Sequence, residues 1–292
     1  MGKSSESLQL SNRWFQLRGR RKRIFSLRSL IYFLLLLIPA FYTARSFRFP
    51  SVKENSFANQ SGLVSYVYDG DTFRIKLRRG EKRVRLLGVD TAEVGDPHEE
   101  VDLWARLARR FSYFHLFQKT VSLSFEAERE DRYGRLLAYV WLDNKILFNE
   151  LIIREGLADY YSSSSLRPEM QARLEKAEAQ ARGERKGKWQ ERWPTPLPDK
   201  IIRHHRGEIQ AVHFICGSLR TERNYTLLLS RSGDFQVFIP KDRRPLFSVL
   251  EKVKPGDELI VFGLIEEYRG KPQVMLFYPR QIKLSPNLSE AK

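Results

Sequence analysis

Three short stretches of this 292-residue sequence put acids and arginines where a strand pattern has no need of them. Asp69-Gly70-Asp71-Thr72 sits at a turn, Arg85 to Glu93 runs out of an apolar strand into a loop, and Asp131 to Arg135 leads into another strand. Taken singly, each is ordinary, since Asp-Gly favours hairpin turns and a charge at a strand end is normally just solvated. Taken together they offer three carboxylates, Asp71, Asp90 and Glu93, and two guanidinium groups, Arg85 and Arg135. Carboxylates are hard oxygen donors that suit calcium or magnesium rather than zinc. Phosphodiester hydrolysis needs an activated water, neutralised charge at phosphorus and help for the leaving group, and a carboxylate base, a divalent cation and two planar five-donor groups supply these roles directly.

Other chemistries fare worse. One cysteine, Cys216, allows neither an intrachain disulfide nor a thiolate metal cluster, and its neighbours Phe214 and Ile215 mark it as a core residue. None of the five histidines has the spacing of a ligand set: His204-His205 are adjacent, and His98, His115 and His213 stand apart. The formal charge of +16 invites a nucleic-acid or membrane argument, but ten Lys/Arg against one acid lie in residues 1–50. That tail holds more than half of the excess, so charge alone says little about the folded part.

The elements that must position these residues can be read along the chain. The basic tail, residues 1–28, precedes an uncharged run, residues 29–44. Sixteen helical residues span about 24 Å, slightly short of a hydrocarbon core of about 30 Å, and flanking apolar residues close the gap. A transmembrane signal anchor with its N-terminus inside fits better than a cleaved signal, because Tyr42 and Ile38 spoil the small-residue pattern before Ala44 and Ala40. Either reading exports the remainder: tethered at a membrane on its periplasmic or extracellular face, or secreted after cleavage. Residues 45–61 read as a tether.

From Leu63 a three-strand meander extends to Val89, with Phe73, Ile75 and Leu77 alternating. A helix over 99–118 follows, then strands VSLSFE and RLLAYVWL, a short helix stopped by Gly156, and a helix over 168–186, entered at Pro168 and ending near Gly183 and Gly187. Five strands and three helices predict a mainly β fold with α, a small barrel of the OB type over residues 62–192. Residues 193–200, WPTPLPDK, form the linker, and residues 201–292 restart a five-strand pattern, with a helix expected at 244–252. The economical reading is a second OB-like barrel.

The motifs VYDGDTFRIKL, VRLLGVDTAE, DRYGRLLAYV and LFNELIIREGLA, followed by LEKAEAQA and Trp189, resemble the staphylococcal nuclease (thermonuclease-like) family across residues 62–190. The resemblance implies a Ca2+ ion held by Asp71, Asp90 and the backbone carbonyl of Thr91, with Asp69 behind them. It implies Glu93 as the base that activates water, and Arg85 and Arg135 as the groups that clamp phosphate. It also implies cleavage of DNA and RNA that leaves a 3′-phosphate, on single-stranded or frayed substrate, with Tyr133, Tyr160 and Tyr161 candidates for packing on a nucleotide. Ala92 stands where the family usually has proline, which loosens the chain just before Glu93. The C-terminal module more weakly resembles OB-fold nucleic-acid-binding modules, with Arg220, Arg223, Arg231, Lys241, Arg243 and Arg244 interleaved with Tyr225, Phe235 and Phe238. The competing reading is a catalytically silent, membrane-tethered nucleic-acid-binding protein. No protein partner is predicted.

Overall fold

A computed structural model of the chain describes residues 60–162 and 166–285. The basic tail, the apolar run 29–44 and all but the last two residues of the expected tether lie outside the described residues. No helix among the described residues is long and apolar enough to cross a membrane.

Alternation builds the first barrel. Strands β1 (Gln60–Val67), β2 (Thr72–Leu77) and β3 (Gly80–Leu86) form an antiparallel meander. Phe73, Ile75 and Val84 point inward and are fully buried, while Arg74, Lys76 and Arg83 point out. The two-residue strand β4 (Val89–Asp90) and helix α1 (Glu99–Leu116) follow. Helix α1 buries Leu103, Trp104, Leu107, Ala108 and Phe111 at helical spacing. Strands β5 (Thr120–Ser124) and β6 (Leu136–Leu142) complete the barrel. β5 pairs with β1 and β6, and β6 returns parallel to β3, so the five strands close in the cyclic order β1-β2-β3-β6-β5. Short strand β7 (Ile146–Leu147) leads into helix α2 (Phe148–Arg154). Strand β8 (Asp159–Tyr160) pairs with β4, and helix α3 (Pro168–Gly183) packs on α2.

The second barrel repeats the topology. After the short strand β9 (Leu197–Pro198) come β10 (Ile209–Thr221), β11 (Tyr225–Ser230), β12 (Gln236–Pro240), β13 (Glu258–Tyr268) and β14 (Lys271–Met275). They close in the order β10-β11-β12-β14-β13, again with the third and fifth strands parallel, and β15 (Ile282–Leu284) extends the edge of β13. Strand β10 is thirteen residues long. Its first half pairs with β13 and its second half with β11, which is how one strand turns a barrel corner. The helix expected at 244–252 is instead two short 3-10 turns, Arg244–Leu246 and Ser248–Glu251. The reason is local: buried Phe247 adopts φ −97°, ψ 64°, which interrupts a segment already short for α-helix nucleation.

Both barrels belong to one compact unit. Ala211, Phe262, Leu264 and Phe277 of the second barrel are buried in the same apolar core as the first. Phe262 lies between Trp104 and Trp193, at ring-centroid distances of 6.0 and 5.6 Å. Polar contacts frame this seam. Arg110 of α1 grips Glu266 of β13 with three hydrogen bonds of 2.6–2.9 Å, and Asp102 accepts from the Tyr278 hydroxyl at 2.6 Å. Burial pushes the Glu266 carboxyl above its ordinary value, against the pull of Arg110.

Candidate active site

The turn between β1 and β2 is tied by Asp69, whose Oδ1 accepts the backbone N–H groups of Asp71 and Thr72 at 3.1 and 2.6 Å. Burial raises the Asp69 carboxyl above its ordinary value despite these bonds and the nearby Arg85. The turn aims Asp71 inward. Its Oδ1 accepts the Thr72 hydroxyl at 2.9 Å, and its Oδ2 accepts both the N–H and the hydroxyl of Thr91 at 2.9 Å. Asp71 and Thr91 are both buried, so β2 and the loop after β4 are fastened to each other at this carboxylate.

Arg85 stands opposite Thr72 on β3. Its guanidinium ion-pairs with Asp71 through Nη1 and donates from Nη2 to Asp90 at 2.8 Å. Asp90 reaches this place because β4 pairs with β8, Asp90 against Asp159. Gly88, just before β4, has φ +70°, and a Cβ there would lie 2.5 Å from Leu174 Cδ1. Only glycine lets the chain turn here against α3.

Arg135 enters from the loop before β6. Asp131 accepts its backbone N–H at 3.0 Å and its Nε–H at 2.7 Å, which fixes the guanidinium plane. Burial opposes ionisation of Asp131, but the bonds from Arg135 and Tyr133 outweigh it and hold the carboxyl below its ordinary value. The Arg135 guanidinium lies 5.5 Å from the centre of the Tyr133 ring, which is 67% exposed.

Arg85, Asp90, Arg135 and Tyr161 line one cleft of about 400 Å³, together with Glu128. Asp71 and Thr91 lie behind Arg85, and Glu93 is exposed in the loop that follows. Tyr160 and Tyr161 part company. The Tyr160 ring packs against the core and its hydroxyl is buried without a partner, whereas Tyr161 is 61% exposed in the cleft. Asp131 was singled out in the sequence only as the start of its charged stretch, without a role of its own, and Glu128 carries no signal there.

The donor set of two carboxylates, Asp71 and Asp90, plus the Thr91 carbonyl has the hard-oxygen chemistry of a calcium or magnesium site. No group of three or more His, Cys, Asp or Glu side chains is gathered for a metal among the described residues. Such a site would therefore be completed by the backbone, water or substrate.

Comparison with known proteins decides the family. A family model described as staphylococcal nuclease homologue matches residues 83–191. The thermonuclease of Staphylococcus hyicus is 36% identical over 143 residues, 48% of this chain and 82% of that protein. The chain belongs to the staphylococcal nuclease family. The thermonuclease of Staphylococcus intermedius is 43% identical over 99 residues, 34% of this chain, and the match spans 58% of that relative's length. Endonuclease YncB of Bacillus subtilis is 35% identical over 105 residues, 34% of this chain and 49% of that protein. The family-model match begins within β3 and covers the rest of the first barrel and its helices, the part that lines the cleft.

In the second barrel, the structure withdraws three residues from the basic-aromatic face expected from the sequence, while Tyr225 and Phe238 stay half-buried with ring centroids 5.2 Å apart. Phe235 is fully buried in that barrel's own core. Arg243 is at the seam, facing Asp102 and Tyr278, and Arg244 donates to the backbone carbonyls of Glu222 and Tyr225. Arg220, Arg223, Arg231 and Lys241 remain exposed.

Proposed function

We propose that this chain is a Ca2+-dependent nuclease that hydrolyses phosphodiester bonds in single-stranded or frayed DNA and RNA. The observation that supports it best is the meeting of Arg85, Asp90, Arg135 and Tyr161 in one cleft, with Asp71 pinned behind Arg85. Glu93 takes a proton from water as the water oxygen forms a bond to phosphorus and the bond from phosphorus to the 5′-oxygen breaks; the 5′-oxygen takes a proton from solvent and leaves as a hydroxyl, and a 3′-phosphate remains. Arg85 and Arg135 donate to the phosphoryl oxygens as negative charge builds there, and their planar forks suit that geometry better than lysine would. Asp131 holds Arg135 through its Nε–H, and Arg135 lines the cleft. Asp71, Asp90 and the Thr91 carbonyl would hold the calcium ion, which supplies charge neutralisation at the phosphate. Tyr161 in the cleft and Tyr133 beside Arg135 offer aromatic faces to bases without regard to sequence. The uncharged run 29–44 behind a basic tail supports tethering to a membrane, with the barrels on its outer side.

The test is hydrolysis of single-stranded DNA by the full-length chain with calcium, with chelator, and with Glu93→Gln. Calcium-dependent cleavage that disappears in the variant supports the reading. A strand bound but never cut makes the protein a tethered nucleic-acid receptor instead.

A further inference from the structure

The β2–β3 hairpin is the most basic stretch of the folded chain: seven of the twelve residues from Arg74 to Arg85 are Lys or Arg, and one is acidic. Strand register arranges part of this charge into a row across the outer wall of the first barrel. Tyr66 of β1 stands opposite Arg74 of β2, and Arg74 stands opposite Arg83 of β3. Val84 pairs with Leu136, so the preceding residues Arg83 and Arg135 are level with each other. Neighbouring strands lie about 4.8 Å apart, so the row extends about 14 Å from Arg135.

The side chains in this row are already organised. Tyr66 and Tyr68 meet edge to face at 4.8 Å. The Arg74 guanidinium lies 5.8 Å from the Tyr66 ring and 5.5 Å from the Tyr68 ring, and it donates to the Tyr68 hydroxyl at 3.0 Å through Nε. Arg83 lies over the Tyr68 ring at 5.0 Å. Tyr66 is 44% exposed. Nothing in the barrel's core needs two tyrosines and two arginines interleaved on its solvent side. Alternating aromatic faces and cations beside a phosphate-clamping arginine are the ingredients of a single-strand binding platform, where bases stack and phosphates meet guanidinium groups.

We propose that Tyr66, Tyr68, Arg74 and Arg83 form a track that carries single-stranded nucleic acid away from the Arg85–Arg135 cleft across the outer face of β1–β3. The strand's position in the cleft rests on the nuclease reading; the track's ability to bind does not. Its chemistry recognises the phosphate chain and base faces, so it is indifferent to sequence.

The test compares wild type with the doubly substituted Tyr66→Ala/Arg83→Gln in the full-length chain. Cleavage of a single strand of about 16 nucleotides, near the upper site size of an OB barrel, is set beside cleavage of a dinucleotide. The track predicts a KM for the long strand raised about 10- to 100-fold, with kcat and dinucleotide cleavage unchanged. Binding of a labelled oligothymidylate of the same length, measured by anisotropy in the Glu93→Gln background with chelator, should weaken in parallel. Its log–log salt slope should fall by about 0.7 for the lost arginine. Tyr66→Phe with Arg83→Lys should restore most of the binding. Equal loss on both substrates, or long-strand binding unchanged in the doubly substituted protein, would overturn the track while leaving the nuclease reading intact. Weakened binding by a protein that never cleaves keeps the track and overturns the nuclease reading.

Discussion

Replacing Arg110 by leucine would strand a carboxylate between the two barrels. Glu266 is 4% exposed, and its two oxygens receive three hydrogen bonds from Arg110. Removing one member of such a buried pair costs about 3–5 kcal/mol, because the other charge keeps its desolvation penalty without compensation. For a unit of this size each 1 kcal/mol lowers Tm by about 2–4 °C, so a fall of about 6–20 °C is expected. The loss should depend on pH with a defined sign. Burial already raises the Glu266 carboxyl, and without Arg110 it rises further, so the folded variant holds a proton that the unfolded chain releases. Its deficit relative to wild type should therefore be smallest near pH 5 and grow towards pH 8, by up to about 1.4 kcal/mol per pH unit until the folded carboxyl ionises. Urea unfolding at both pH values measures this. Arg110→Leu combined with Glu266→Leu should recover to within about 1 kcal/mol of wild type, since an apolar pair tolerates the site. A single variant that melts within about 2 °C of wild type, or a deficit that shrinks as pH rises, would refute a buried strut at the seam.

Further outcomes follow from the same geometry. Arg135→Lys keeps the charge but loses the fork that Asp131 holds in plane, so kcat should fall about 10²-fold or more with little change in urea midpoint. Burial and nearby Lys119 push His115 down to about 4, so its neutral ring contributes stability that is present above pH 6.5 and lost as pH falls towards 4. His115→Phe, placed against Phe111 and Phe148, should flatten that acid limb in a pH series of melting curves. Gly88→Ala combines a left-handed φ with a 2.5 Å approach to Leu174 and should cost about 2–4 kcal/mol, measured by thermal unfolding.

Both barrels were legible in the sequence because their strands alternate cleanly. In TFRIKL, Phe73 and Ile75 go inside and Arg74 and Lys76 outside, a period that no helix would tolerate. Turn chemistry fixed the ends, as Asp69-Gly70 does between β1 and β2. The site residues were legible as types and order, but not as partners. Asp90 reaches Arg85 only because β4 pairs with β8, two strands of two residues each, too short to leave a periodic signal. The difference between Tyr160 and Tyr161 had the same origin, since Tyr160 ends the two-residue strand β8 and Tyr161 lies just past it, and only the pairing with β4 says which way is in. The seam between barrels was invisible for a further reason. Phe262 reads as a core residue of its own strand, and nothing in the sequence shows that the core it enters belongs to the other barrel.

That shared core has a consequence in time. The first barrel's own strands and helices are complete by Gly183, yet Trp104 and its neighbours wait for Phe262 and Phe277, about 80 to 95 residues further along the chain. At synthesis rates of about 5–20 residues per second, that interval lasts roughly 4–20 s. For those seconds a folded barrel presents a tryptophan-centred apolar face to whatever surrounds it. A translation pause placed before residue 262 would lengthen the exposure, and a chaperone that recognises apolar surface would find its opening there.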